Sequence, residues 1–257
     1  LVSIGRRSLR NGDRDRSTRD LQRGLRDLAW TARTDPVSTP SPPPESSYYG
    51  GIEWWIARAD PSDPDGLVIA AKGGDNAESH NHNDCGSFLV HYRGESLFTD
   101  LGSPMYSPDY FGEGRYDRLG ARSLGHSIPY VNGAEQESFK DYGGRNDDDD
   151  DRNINAREAE EIPASVARSA EVIDRPGGGA TEGLTLELAG CYPDSAGLES
   201  LRRGFVFDRE AAGGRGALRV SDVARFRGDV EDSWLETNLM SYAPIDVEDG
   251  AVVATGD

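Results

Sequence analysis

Near the start of the chain, Leu21, Leu25, Leu28 and Ala29 recur at helical spacing, and Ser17 or Thr18 can cap the helix they imply, so residues 17–33 are expected to be helical. The residues before them, rich in Arg, Asp and Gly, have no period and read as irregular. Pro36, Pro40, Pro42, Pro43 and Pro44 exclude helix from residues 35–47, where an extended linker is expected. After Tyr48 the period changes to two. Residues 52–58, around Trp54 and Trp55, and residues 67–72 alternate as strands do, with a Pro, Asp and Gly turn between them. Residues 87–92 and 95–100 flank Arg93 and Gly94, a hairpin signal weaker than Asn-Gly. A long Gly, Tyr and Pro-rich loop follows over 102–125, then a short strand over 128–133. Further strands are expected over 164–173, 184–188, 198–207, 217–226 and 234–239, separated by glycine turns at 177–179 and 211–214.

Many short strands joined by glycine-rich turns predict a mainly β chain, an antiparallel β-sandwich with a short N-terminal helical segment. The expected division is a residual helical segment and Pro-rich linker over 1–47 and a β-sandwich domain over 48–257. No apolar run approaches the roughly 18 residues that cross a membrane as a helix. The chain opens on Leu1 and is read as a piece of a longer protein, so no export signal can be read from it; an extracytoplasmic or secreted location is expected.

Charge narrows the partners. The chain carries 46 acidic against 28 basic residues, a formal net charge of -18. That field repels nucleic acid and anionic membrane. Lys72 and Lys140 are its two lysines, the other basic residues being arginines, and its mean hydropathy is -0.66. Acid excess with scarce lysine resembles haloarchaeal proteins and predicts an acid-coated fold. The run Asp147 to Asp151 reads as a solvated loop rather than a calcium loop, because it lacks the interspersed Gly and closing Glu. Cys85 and Cys191 define no disulfide framework and are expected to be free buried thiols.

Three of the four histidines carry the candidate chemistry. His80 and His82 alternate on an extended segment just before the hairpin, and Asp100 ends its second strand, which folds back towards His82. His126 follows the Tyr-rich loop. His82, Asp100 and His126 form a borderline-soft ligand set suited to zinc, with a position left for water. The alternative at this point is that the His-x-His segment is a polar turn and Asp100 caps a loop.

Residues 72–88, from Lys72-Gly73-Gly74 through His80-Asn81-His82-Asn83-Asp84 to Gly86-Ser87-Phe88, resemble the segment opening the β-sandwich of heparinase II/III-like polysaccharide lyases. The resemblance continues through Asp100-Leu101-Gly102, Arg115-Tyr116-Asp117, Gly125-His126-Ser127 and Val131-Asn132-Gly133. It extends to residues 201–208 and 234–237 and covers most of 50–257. It implies a super-sandwich fold and a zinc ion held by His82, Asp100 and His126. It further implies that His80 faces the substrate and that a loop tyrosine, Tyr106, Tyr110 or Tyr116, assists catalysis.

The implied activity is β-elimination from a uronic-acid polysaccharide, an acidic polymer whose carboxylate must be neutralised as the enolate develops. Arg115, Arg118 and Arg122 are expected either to bind that anionic chain or to pair with surface carboxylates. In such lyases the catalytic base comes largely from an N-terminal helical toroid. Here Gly5 to Arg10 alone resembles its end, so the chain is expected to be inactive by itself. Two other readings stand beside the lyase: a non-catalytic carbohydrate-binding β-sandwich module, and a metal-dependent hydrolase. The polymer cut and the oligomeric state cannot be read from the sequence.

Overall fold

A computed structural model of the chain describes residues 41–78, 82–102, 110, 113–137, 168–228, 230, 232–248 and 251–254. The chain divides into two compact units, Leu1–Pro42 and Pro43–Asp257, and all that follows concerns the second. The expected helix over 17–33, His80, Tyr106 and the aspartate run at 147–151 lie outside the described residues.

The fold is mainly β, built from antiparallel sheets in a sandwich-like arrangement. The first sheet has five strands in sequential order: β1 (Ser46–Tyr49), β2 (Trp54–Arg58), β3 (Val68–Lys72), β4 (Phe88–Tyr92) and β5 (Glu95–Phe98). The second has four: β7 (Glu171–Asp174), β8 (Thr181–Glu187), β9 (Leu198–Asp208) and β10 (Ala217–Phe226), in the order β10-β9-β8-β7. Two ribbons complete the set. One pairs β6 (Pro129–Val131) with β11 (Leu235–Thr237), the other β12 (Ile245–Glu248) with β13 (Ala251–Ala254).

Alternation along the strands decides which side chains meet. Trp55 and Ala57 of β2, Ile69 and Ala71 of β3 and Phe88 of β4 are buried, and they share one apolar cluster with Leu184 and Leu186 of β8 and Leu201, Phe205 and Phe207 of β9. Phe88 meets Phe205 edge-on at 5.9 Å between ring centroids. Each large side chain so buried contributes about 1.5–3 kcal/mol. Cys85 and Cys191 are free and buried in the same cluster.

Two arginines interrupt this apolar face. Arg203 is fully buried between Leu201 and Phe205 on β9, and Arg209, just past the end of that strand, is paired with buried Glu182 of β8. Trp55 and Glu182 are in turn linked through Ser46, which accepts from the Trp55 indole at 3.1 Å and donates to the Glu182 carboxylate at 2.8 Å.

The sheet begins at Ser46, two residues inside the expected linker. A strand forms there because β2 offers it a complete antiparallel edge, from Ser46 opposite Ala57 to Tyr49 opposite Trp54. Residues 52 and 53 turn instead of extending, since Glu53 has φ +52° and Ile52 N–H bonds back to Tyr49 O. The hairpin holds: Arg93 and Gly94 take φ values of +50° and +84°, the left-handed pair that a two-residue β-turn between twisted strands requires. Within the loop expected over 102–125, residues 113–125 wind into three short 3-10 turns. No described helix is long and apolar enough to cross a membrane.

Candidate metal centre

His82 enters from the segment between β3 and β4, and both sides of that segment are tied down. Lys72, at the end of β3, reaches Asp84 at 2.7 Å and Glu78 at 3.1 Å. Burial presses its ammonium towards the neutral form, but the two carboxylates outweigh burial and hold it charged, above the usual lysine range. Asn83 fixes the next position. Its N–H donates to Ala121 O at 3.0 Å, its carbonyl accepts from the Ser123 hydroxyl at 3.0 Å, and its amide donates to Gln136 O at 3.1 Å.

Asp100 follows β5. Its Oδ1 accepts from the Gly102 N–H at 2.5 Å, while Oδ2 lies 2.7 Å from Nδ1 of His126. His126 closes the last 3-10 turn, Ser123–Gly125, with its N–H bonded to Ser123 O at 3.1 Å. Glycine is required before it: a Cβ on Gly125 would stand 2.0 Å from the Leu119 carbonyl oxygen.

The ligand atoms of His82, Asp100 and His126 all lie within 4.8 Å of one another. Three such atoms share a point at most about 2.8 Å from each, close to the roughly 2.0–2.2 Å of metal–nitrogen and metal–oxygen bonds. The two imidazoles stand 5.2 Å apart, tilted by 40°. His126 is 1 % exposed, yet neither of its ring nitrogens makes a hydrogen bond of acceptable geometry among the described residues. Nδ1 meets the Asp100 carboxylate as a close polar contact instead. A buried imidazole without hydrogen bonds, facing a carboxylate and a second imidazole, fits a metal ion.

Electrostatics favour the protonation states that ligation needs. Burial, reinforced by the nearby His126, lowers the pKa of His82 and keeps it neutral, against the opposing pull of Asp84 and Asp100. Burial pushes the Asp100 carboxyl up, but its contact and electrostatic interaction with His126 and the Gly102 N–H together bring it below its usual range.

Among the sequence candidates, the three expected to ligate a metal converge. Tyr110 joins them: it is 2 % exposed, and its hydroxyl lies 3.1 Å from Nε2 of His82. Arg115 covers the Tyr110 ring at 5.3 Å and the Tyr116 ring at 5.7 Å, so Tyr116 packs beside the centre through that guanidinium. Arg118 starts the 3-10 turn Leu119–Ala121. Arg122 is drawn elsewhere: its Nε and Nη2 both bond to Glu135, which also accepts from the Leu124 N–H. Of the two roles expected for it, carboxylate pairing is the one seen.

Lys72 and Arg203 were not among those candidates. The signal for Arg203 was present, as a lone charge at an apolar position of an alternating strand. Lys72 stood in a recognised motif without an assigned role, and its carboxylate partners become visible only when the segment folds back. No protein-family model matches the chain, and no curated protein matches it.

Proposed function

We propose that this chain is the β-sandwich part of a zinc-containing polysaccharide lyase that cleaves a uronic-acid polymer by β-elimination. The observation that carries the reading is the convergence of His82, Asp100 and His126 with the Tyr110 hydroxyl seated on His82. Two imidazoles and one carboxylate suit zinc among the common divalent ions. Zinc, when bound, supplies fixed positive charge beside an anionic sugar.

The remaining steps belong to side chains. In the elimination a base takes the proton on the carbon beside the uronate carboxylate. The electrons of that C–H bond form the new carbon–carbon double bond. The glycosidic oxygen leaves with the electrons of its bond to the next carbon and receives a proton. Tyr110 holds a transferable proton at its hydroxyl, hydrogen-bonded to His82, and Arg115 above its ring offers positive charge to the sugar carboxylate. His80 adds a further imidazole in the same chain segment as His82.

The test is an assay of the full-length protein on a panel of uronate polymers, read as ultraviolet absorbance of the unsaturated product. Absorbance that grows with time and disappears in the His82→Ala variant supports the lyase. Saturable sugar binding without product supports a non-catalytic carbohydrate-binding module. New reducing ends without absorbance support a hydrolase.

A further inference from the structure

We propose that Arg203 is the positioning residue of the metal centre, its guanidinium setting the separation of the backbone segments that carry His82 and His126. The proposal rests on the reading of His82, Asp100 and His126 as metal ligands.

Arg203 lies on the inner face of β9 with no exposed surface. One edge of its guanidinium is anchored. Nε and Nη2 each donate at 2.7 Å to the two carboxylate oxygens of Asp222, the directly opposed residue of β10. The remaining nitrogen, Nη1, spends its two hydrogens on different chain segments. It donates to Gly86 O at 2.9 Å and to Ser127 O at 2.8 Å. Gly86 lies where the His82 segment runs into β4, and Ser127 directly follows His126.

Ser127 passes the connection on. Its hydroxyl accepts from the Met240 N–H at 3.0 Å, and Met240 O accepts from the Thr99 N–H at 3.0 Å, one residue before Asp100. A single relay, Gly86 to Arg203 to Ser127 to Met240 to Thr99, therefore joins all three ligand-bearing segments. The rings of Phe88 and Phe205 flank the guanidinium at 5.9 and 6.0 Å, which leaves it little freedom to turn.

The chemistry of the side chain matters. An apolar residue could fill the space but would leave two buried carbonyls unpaired. Lysine keeps the charge but has one nitrogen and cannot reproduce the planar fork. Arg209 supplies an internal comparison. It is a buried arginine with a carboxylate partner, Glu182, and carbonyl acceptors at Glu45, Arg58 and Gly179. It stands six positions further along, roughly 20 Å at strand rise, and its hydrogen-bond partners among the described residues belong to no ligand segment.

The experiment measures zinc affinity of the full chain by competition with a chromogenic chelator, alongside circular dichroism and thermal unfolding. The proteins are the wild type and the Arg203→Lys, Ser127→Ala and Arg209→Lys variants. Arg203→Lys and Ser127→Ala are expected to lose about 10–100-fold in zinc affinity while keeping the β spectrum. Arg209→Lys is expected to lower the unfolding temperature but to leave zinc affinity within about twofold, because the bracket it breaks carries no ligand. A folded Arg203→Lys with wild-type affinity overturns the proposal, and so does an Arg209→Lys that weakens zinc equally. If Arg203→Lys does not fold, Asp222→Asn, which frees the anchored edge of the same guanidinium, takes its place, and unchanged affinity there overturns the proposal. A wild type that takes up no zinc overturns the ligand reading itself, and the role of Arg203 with it.

Discussion

Oδ2 of Asp100 faces Nδ1 of His126 at 2.7 Å across a long loop, and the ligand atom of His82 lies within 4.8 Å of both. If the three act as one centre, the full-length protein should carry stoichiometric zinc by elemental analysis. His82→Ala, Asp100→Ala and His126→Ala should each abolish it. Retention of one zinc per chain in all three variants would place the metal elsewhere.

Stability of the metal-free chain should fall on mild acidification. The folded pKa of His82 lies below its ordinary value of 6.5, so near that pH the unfolded chain binds a proton that the folded chain refuses. Its contribution is complete above about pH 6.5 and is lost as pH drops towards the lowered folded value. Asp100, also lowered, extends the loss through the ordinary carboxylate value of 3.8 and below. Urea midpoints should therefore decline from about pH 6.5 to pH 5, with a shallower decline in His82→Gln. Zinc affinity should fall over the same range, since ligation requires neutral imidazole.

Lys72→Met should destabilise the fold by about 2–4 kcal/mol, the cost of leaving a partly buried carboxylate without its partner. Asp84 is the partner most at risk, with 13 % of its side chain exposed. Lys72→Arg, which restores the charge, should recover much of the loss in urea denaturation. Equal loss in both variants would mean that shape at this site matters more than charge.

Gly125→Ala should cost about 1–3 kcal/mol and shift His126, because the contact it creates is with the backbone oxygen of Leu119 and not with a side chain that can rotate away. Gly94→Ala is the control for added bulk, since a Cβ there meets nothing within 4 Å, although its φ of +84° brings backbone strain. The Gly125 variant should weaken zinc binding, and the Gly94 variant should not.

Salt should stabilise the chain. With 46 acidic and 28 basic residues, self-repulsion is relieved as the screening length falls from about 10 Å at 0.1 M salt to about 3 Å at 1 M. The thermal midpoint should rise over that interval. A flat response would remove the support for an acid-coated, salt-adapted surface.

The parts of this fold that local pattern encodes were legible. Period-two alternation marked β2, β3, β4, β9 and β10, and Arg93-Gly94 marked the hairpin that carries the Asp100 segment back towards His82. His82, Asp100 and His126 were legible as a candidate ligand group because the hairpin returns the Asp100 segment towards His82 and His126 follows the loop after it. β1 was not legible, since its sequence, Ser46-Ser47-Tyr48-Tyr49, gains a reason to extend only from the free edge of β2. Nor could the sequence show that Tyr110 lies against His82, because that depends on where the loop sets its ring. Lys72 and Arg203 escaped for a related reason: the partners that define them come from distant stretches of chain.

The Met240 link gives the centre a property that its ligands alone do not confer. The residue whose backbone braces both Thr99 and Ser127 lies far downstream of every ligand, so a chain growing from its N-terminus contains all three ligands long before it contains the brace. If these residues hold a metal, tight uptake is expected to wait until the C-terminal part has been made and docked. Chains ending near residue 230 should hold zinc weakly and exchange it readily, and full capture should mark the moment at which the native topology is reached.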